Sequence, residues 1–187
     1  MNYNSRSEEV NRALEARRKL MAKRIVFGRI LLLIWTVAAM LNLLLLYGNV
    51  RYRLPLSSTL ADLLMMMRFL HPDQSATVLL IPISILIPVG MVAANLFWKK
   101  HDAIRLSVFL LLWLDAICIL AAWLWNPVIL FGESGIRHFV AIGNILLHFF
   151  LIWHISRARR AVESLEILPE KEYEGDPFEE FRNRSDD

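Results

Sequence analysis

Residues 104–125 read IRLSVFLLLWLDAICILAAWLW, an apolar run broken near its centre by a single carboxylate, Asp115. As a helix rising 1.5 Å per residue, the run reaches roughly 33 Å, enough to cross a hydrocarbon core of about 30 Å. A central Asp costs about 2.5–3.5 kcal/mol on the insertion scale, and the run's Leu, Ile, Val and Phe return about 4–7 kcal/mol. The segment therefore still inserts, provided Asp115 faces protein or water rather than lipid.

Three further runs of similar length flank it: 77–98 before it, 136–155 after it and 25–47 nearer the N-terminus. Apolar residues make up 56% of the 187-residue chain, and they are gathered into these runs. That clustering is the pattern of repeated bilayer crossings and excludes an ordinary soluble domain. The predicted fold is an all-α, antiparallel bundle of four transmembrane helices.

Residues 1–24 precede the first span and hold seven Lys or Arg against three Glu. Ser5 with Glu8 fits a capping box, and Glu8–Arg12 and Glu15–Lys19 are spaced for i,i+4 pairs. A basic amphipathic helix running straight into the first span is expected, with Val10, Ala13, Leu14 and Met21 as a thin apolar stripe. Arg29, one turn inside that span, is expected to snorkel back to the headgroups. Arg17, Arg18, Lys19, Lys23 and Arg24 suit contact with anionic lipid headgroups.

The membrane domain is read as 25–168, the last helix extending to 168 before Pro169. Residues 169–187 carry eight Asp or Glu against three Lys or Arg and few apolar side chains. This acidic cytoplasmic tail is expected to be disordered. Phe178 and Phe181 within it are a candidate docking motif for a protein partner.

Orientation follows from the cations. With both ends inside, the cytoplasmic side holds eight Lys or Arg up to Arg29, three at Lys99, Lys100 and Arg105, and six from Arg157 on. Only Arg51, Arg53, Arg68 and Arg137 lie outside. The positive-inside rule favours that topology. Tyr47, Tyr52, Trp98, Trp125 and Trp153 fall near span ends, as in an interfacial aromatic belt. The general look is of a small bacterial inner-membrane protein. A basic N-terminus here has a topological meaning, so no nucleic-acid partner is invoked.

Residues 57–70 are too short to span. They read as a helix lying in the outer interface, or re-entrant, between spans one and two. Thr59 and Asp62 suggest its capping box, His71-Pro72 its end, and Met65, Met66 and Met67 an adaptable surface for a protein partner. In the second span Pro82, Pro88 and Gly90 predict a kink.

Chemistry concentrates on few residues. His148 falls near the middle of the fourth span, at the depth of Asp115, with Asn144 one turn away on the same face. Adjacent antiparallel helices joined by a short connection would bring the two together. Such a pair either binds a proton or couples an ion, or is a buried hydrogen bond that fixes packing. The second reading is the more ordinary. Asn42 and Asn95, with Asn144, either line a polar track or join helices, and joining is again the more ordinary.

Gly132-Glu133-Ser134-Gly135 resembles the G-x-S-G pattern of rhomboid intramembrane proteases. That resemblance implies a nucleophilic Ser and a His base on a later helix. Only one span follows Ser134; His138 lies on it and His71 in the outer loop, so the turn reading, with Ser134 near a helix N-cap, fits better. Two axial His at one depth on facing helices are missing, which argues against haem. Cys118 is the one cysteine, and no metal-ligand spacing is present. No cofactor or metal is predicted. The leading expectation is a non-enzymatic accessory or scaffold component of a membrane complex. The alternative is a small proton- or cation-coupled transporter or channel using Asp115 and His148.

Overall fold

The computed structural model describes residues 3–48, 54, 58–125 and 137–168, with side chains from residue 8 onward in the first helix and from 138 in the last. The described residues are helical, joined by short turns. The elements are α1 (Tyr3–Tyr47), α2 (Thr59–Leu70), a 3-10 turn (Ser75–Leu79) leading into α3 (Leu80–Phe97), α4 (Asp102–Trp125) and α5 (Arg137–Ile167). Four of these segments are long and apolar enough to cross a membrane: those of α1, of α3 with its 3-10 lead, of α4 and of α5. Each presents large apolar side chains outward, such as Leu33 and Val37 on α1, Leu86 on α3, Leu110 and Ile117 on α4 and Leu146 on α5. A soluble monomer does not tolerate exposure on that scale.

α1 is continuous from the basic segment into the apolar run. On its buried face Met21, Ile25, Gly28, Leu32, Trp35, Ala39 and Asn42 recur at alternating steps of four and three. A 3.5-residue period of this kind keeps one seam turned to a partner. That partner is α5, whose Leu151, Ile155, Ala158 and Val162 repeat the same alternation. Contacts climb α1 as they descend α5: Gly28 meets Ala158 and Trp35 meets His148. At Gly28 a Cβ would lie 2.6 Å from the Cβ of Ala158. Only glycine permits that approach, so this position sets how closely the two helices lie.

One core cluster takes in Leu32 and Trp35 of α1, Met91 of α3, Val108 and Leu112 of α4, and Leu151 and Ile155 of α5. Trp98 is buried in the same cluster, so it is no part of an aromatic belt. Its turn into α4 folds it under the bundle, where Arg105 donates to its carbonyl oxygen. Tyr47 and Trp125 are exposed at helix ends, Trp153 is exposed midway along α5, and Tyr52 lies outside the described residues. Arg29 does not reach outward. Its Nε donates to Asn95 Oδ1 at 3.1 Å and its carbonyl accepts from Asn95 Nδ2 at 3.3 Å, tying α1 to α3.

α2 differs most from its expected placement. A helix lying flat in the outer interface would touch only the bundle's end. Instead α2 packs against α1, α3 and α4. Ala61 and Met65 form a small core with Leu43 of α1, and Ile81 and Ile87 of α3 pack onto it. Its N-terminus reaches Asp115, ten residues short of the end of α4, and Arg68 in its last turn donates to Thr77 beside α3. α2 therefore lies against the sides of the other helices rather than across their ends. Its N-cap is Ser58, whose Oγ accepts from Ala61 N, and not Thr59.

In α3, Pro82 sits in the first turn, where a missing N–H costs little, and Pro88 lies within the helix. Ser84 is buried and its Oγ donates back to the Ile81 carbonyl. A Cβ on Gly90 would meet open space, so packing does not require glycine there.

Candidate functional site

Asp115 and His148 meet at the centre of the bundle. His148 Nε2 lies 2.9 Å from Asp115 Oδ2, and both side chains are 0% exposed. The two side chains that the sequence places at similar positions along neighbouring helices are in contact. The carboxylate has further partners on α2. Ser58 Oγ donates to Oδ1 at 3.1 Å, Leu60 N donates to Oδ1 at 2.8 Å, and Thr59 N donates to Oδ2 at 3.2 Å. Two of these are the amides that a helix leaves orphaned at its start. Asp115 thus occupies the positive end of the α2 dipole, where an anion is stabilised.

His148 is equally engaged. Its Nδ1 is 2.9 Å from the Asn144 carbonyl oxygen, one turn earlier on α5. A carbonyl only accepts, so Nδ1 carries hydrogen. One proton is then shared between Nε2 and Oδ2. Trp35 Nε1 approaches Nε2 at 3.5 Å, the outer limit of a hydrogen bond. Whichever group holds the proton, the pair has no net charge, which lowers the cost of enclosing it.

Asn42 works at a second point. Its Oδ1 accepts from Leu54 N at 2.8 Å, and its Nδ2 donates to Leu54 O at 3.1 Å and to Asp62 Oδ2 at 3.4 Å. It therefore holds both the lead into α2 and the first turn of that helix. Asn95 pairs with Arg29 as described, and Asn144 contributes its backbone carbonyl to His148. Asn42, Asn95 and Asn144 are thus committed to three separate places, so the polar track considered from the sequence is not formed by these contacts.

Two contributors carried a weak sequence signal. Ser58 stands in a Ser57-Ser58-Thr59 run in which any hydroxyl is a plausible cap. Trp35 reads as one more apolar residue. A third, Arg105, reads from the sequence as a cytoplasmic charge, yet it is buried. Its guanidinium meets Asp102 at 3.3 Å, Glu166 at 3.5 Å and the carbonyls of Trp98 and Lys99. It joins the start of α4 to the far end of α5.

The headgroup candidates Arg17, Lys19 and Lys23 are exposed on α1, with Arg18 and Arg24 partly covered. Lys19 pairs with Glu15 and holds that carboxyl below its ordinary range through hydrogen bonding and charge. The Gly132–Gly135 turn and the acidic tail with Phe178 and Phe181 lie outside the described residues. His138 accepts a hydrogen bond from Trp123 Nε1 at Nδ1, 3.2 Å away. Among the described residues no three His, Cys, Asp or Glu side chains gather as metal ligands. The chain is a membrane-type bundle of four apolar helices, and no protein-family model, curated protein or solved structure matches it.

Proposed function

We propose that this chain is a non-enzymatic, multi-pass protein of the cell membrane that serves as an accessory or scaffold component of a larger membrane complex. Four antiparallel spans cross the bilayer, and both ends lie in the cytoplasm. Asp115, His148 and Asn42 act as a clamp that fixes the re-entrant helix α2, so that it presents a defined surface. Met67, Phe69 and Leu70 are the exposed apolar residues of that surface, and the acidic tail offers a second one.

The observation that carries this assignment is the saturation of Asp115. Its two oxygens accept from Ser58, Thr59, Leu60 and His148, with both members of the pair enclosed. A carboxylate so fully used holds structure together. The test is native electrophoresis and cross-linking from membranes in mild detergent. The wild type is expected to migrate in a complex that Met67→Ser with Phe69→Ser dissociates. A lone monomer in both samples sinks the assignment.

A second reading, a proton- or cation-coupled carrier, is favoured by one specific feature: an enclosed imidazole–carboxyl contact of 2.9 Å inside the bundle. It requires flux in proteoliposomes that Asp115→Asn abolishes. Absence of flux in the wild type ends it.

A further inference from the structure

At the end of the bundle where the basic part of α1 runs beside the extension of α5, the two helices leave an open recess of about 270 Å³. Arg24 comes from α1, and Arg157 and Arg160 from successive turns of α5. The buried side chains of Met21 and Ala161, with Trp153, supply its apolar wall. Arg157 lies over the Trp153 ring, its guanidinium carbon 5.0 Å from the centroid.

The charge in this recess is not balanced by the ion pairs that engage several nearby cations. Arg105 faces Asp102 and Glu166, Arg159 faces Glu163 and Asp102, Arg12 faces Glu8, and Lys19 faces Glu15. No acidic side chain lines the recess. Arg24 Nε is buried without a hydrogen-bond partner among the described residues. Three guanidiniums converging on one cavity, one with an unmet buried donor, suit a ligand with several acceptor oxygens and at least one negative charge. Guanidinium forks match phosphate in this respect.

Position narrows the ligand further. Arg24 is the last charge before the apolar run of α1, and Trp153 and Arg157 straddle the end of the apolar run of α5. On the membrane reading above, which this inference deepens, that level is where headgroup phosphates lie. The apolar wall then suits the glycerol and first acyl carbons. We propose that this recess binds the phosphate group of an anionic phospholipid, with Arg24, Arg157 and Arg160 as its donors. Arg157 and Arg160 were not among the headgroup contacts expected from the sequence. Of the five that were, only Arg24 lines the recess.

The test uses the full chain in mild detergent, with phosphatidylglycerol or phosphatidylcholine added and retained lipid counted by native mass spectrometry. The wild type is expected to retain phosphatidylglycerol preferentially. Arg24→Gln, Arg157→Gln and Arg160→Gln together should remove that preference, with affinity falling about fivefold per arginine, as for one charge at an anionic surface. A second variant set, Arg12→Gln, on the same helix about three turns farther from the apolar run and paired with Glu8, should leave it intact. Circular dichroism establishes that the recess variant is folded. Inorganic phosphate is the second arm: a thermal shift equal to that from phosphatidylglycerol assigns the site to free phosphate and overturns the lipid source. Equal lipid retention by both variant sets, or no preference in the wild type, overturns the site. Neither result touches the membrane reading, which fails separately if the chain stays a dispersed monomer without detergent.

Discussion

Replacing Asp115 by Asn tests the clamp while changing little in shape. The amide has one oxygen where the carboxylate has two. With its NH2 in the Oδ2 position, it donates to His148 Nε2, but Thr59 N–H, now 3.2 Å from a second donor, loses its acceptor. Turned the other way, the NH2 opposes both Leu60 N–H and Ser58 Oγ. The better orientation therefore orphans one backbone amide, at about 1–3 kcal/mol. The bonds that remain also lose the extra strength of an ionised acceptor, about 1 kcal/mol each. Interhelical hydrogen bonds in membranes measure at the low end of such ranges, because the opened state finds other partners. About 2 kcal/mol is the resulting figure, and it falls on the attachment of α2. Hydrogen exchange of the 58–70 segment reads that attachment directly. At 1.4 kcal/mol per tenfold, the amides of Thr59 and Leu60 should exchange about 30-fold faster in Asp115→Asn. A segment in the middle of α4 should change far less. Unaltered exchange at 58–70 would refute the clamp, and lost proton flux alongside it would select the carrier reading.

Other substitutions probe other joints. Gly28→Ala should lower the thermal midpoint, costing about 1–3 kcal/mol, because its Cβ meets Ala158 Cβ at 2.6 Å. Adding Ala158→Gly should restore stability, since the helix-propensity changes of the two swaps nearly cancel; a Gly28→Ala protein as stable as wild type contradicts the close approach. Asn42→Asp should destabilise more than Asn42→Ala, because it sets a carboxylate against Asp62 where an amide donated at 3.4 Å, and the reverse order in a thermal melt speaks against that contact. Arg105→Ala should cost about 1–2 kcal/mol, with Arg105→Lys recovering less than half, since an ammonium lacks the fork that reaches Asp102, Glu166 and two carbonyls together; full recovery by Lys would reduce its role to charge.

The four apolar segments were legible because length against a bilayer is a coarse and reliable criterion. The run read as 104–125 lies in a helix over Asp102–Trp125, and most of that read as 136–155, with an extension to 168, forms the helix over Arg137–Ile167. The meeting of Asp115 with His148 was legible from their equal distance to the short connection between their helices. The inward placement of α2 was not. Its exposed residues, Met67, Phe69 and Leu70, are as apolar as its buried Met65, so composition does not say which way it lies. The same difficulty hid the α1–α5 seam. In α1 the outward-facing Leu33, Ile34 and Val37 are no more polar than the buried Leu32 and Ala39. Where lipid is the solvent, apolar periodicity carries little signal. The partners of Asp115 escaped for a third reason. Two of them are backbone amides, which every residue has and no sequence pattern marks.

That last point bears on what the polar residues are for. Helices in lipid gain no hydrophobic free energy from touching one another, so packing and hydrogen bonds must select the partners. The polar contacts here are distributed as that requirement demands. His148 joins α5 to α4 through Asp115 and lies beside Trp35 of α1. Asp115 joins α4 to α2, and Asn42 joins α1 to α2. Arg29 with Asn95 joins α1 to α3, and Arg105 with Glu166 joins α4 to α5 at the far end. Each contact connects a different pair of elements or a different level of the same pair. A conduction path needs polar groups strung along one line, at spacings a proton or ion can traverse. Among the described residues these groups are instead separated and individually hydrogen-bonded, the distribution of fastenings that hold five helices in one arrangement.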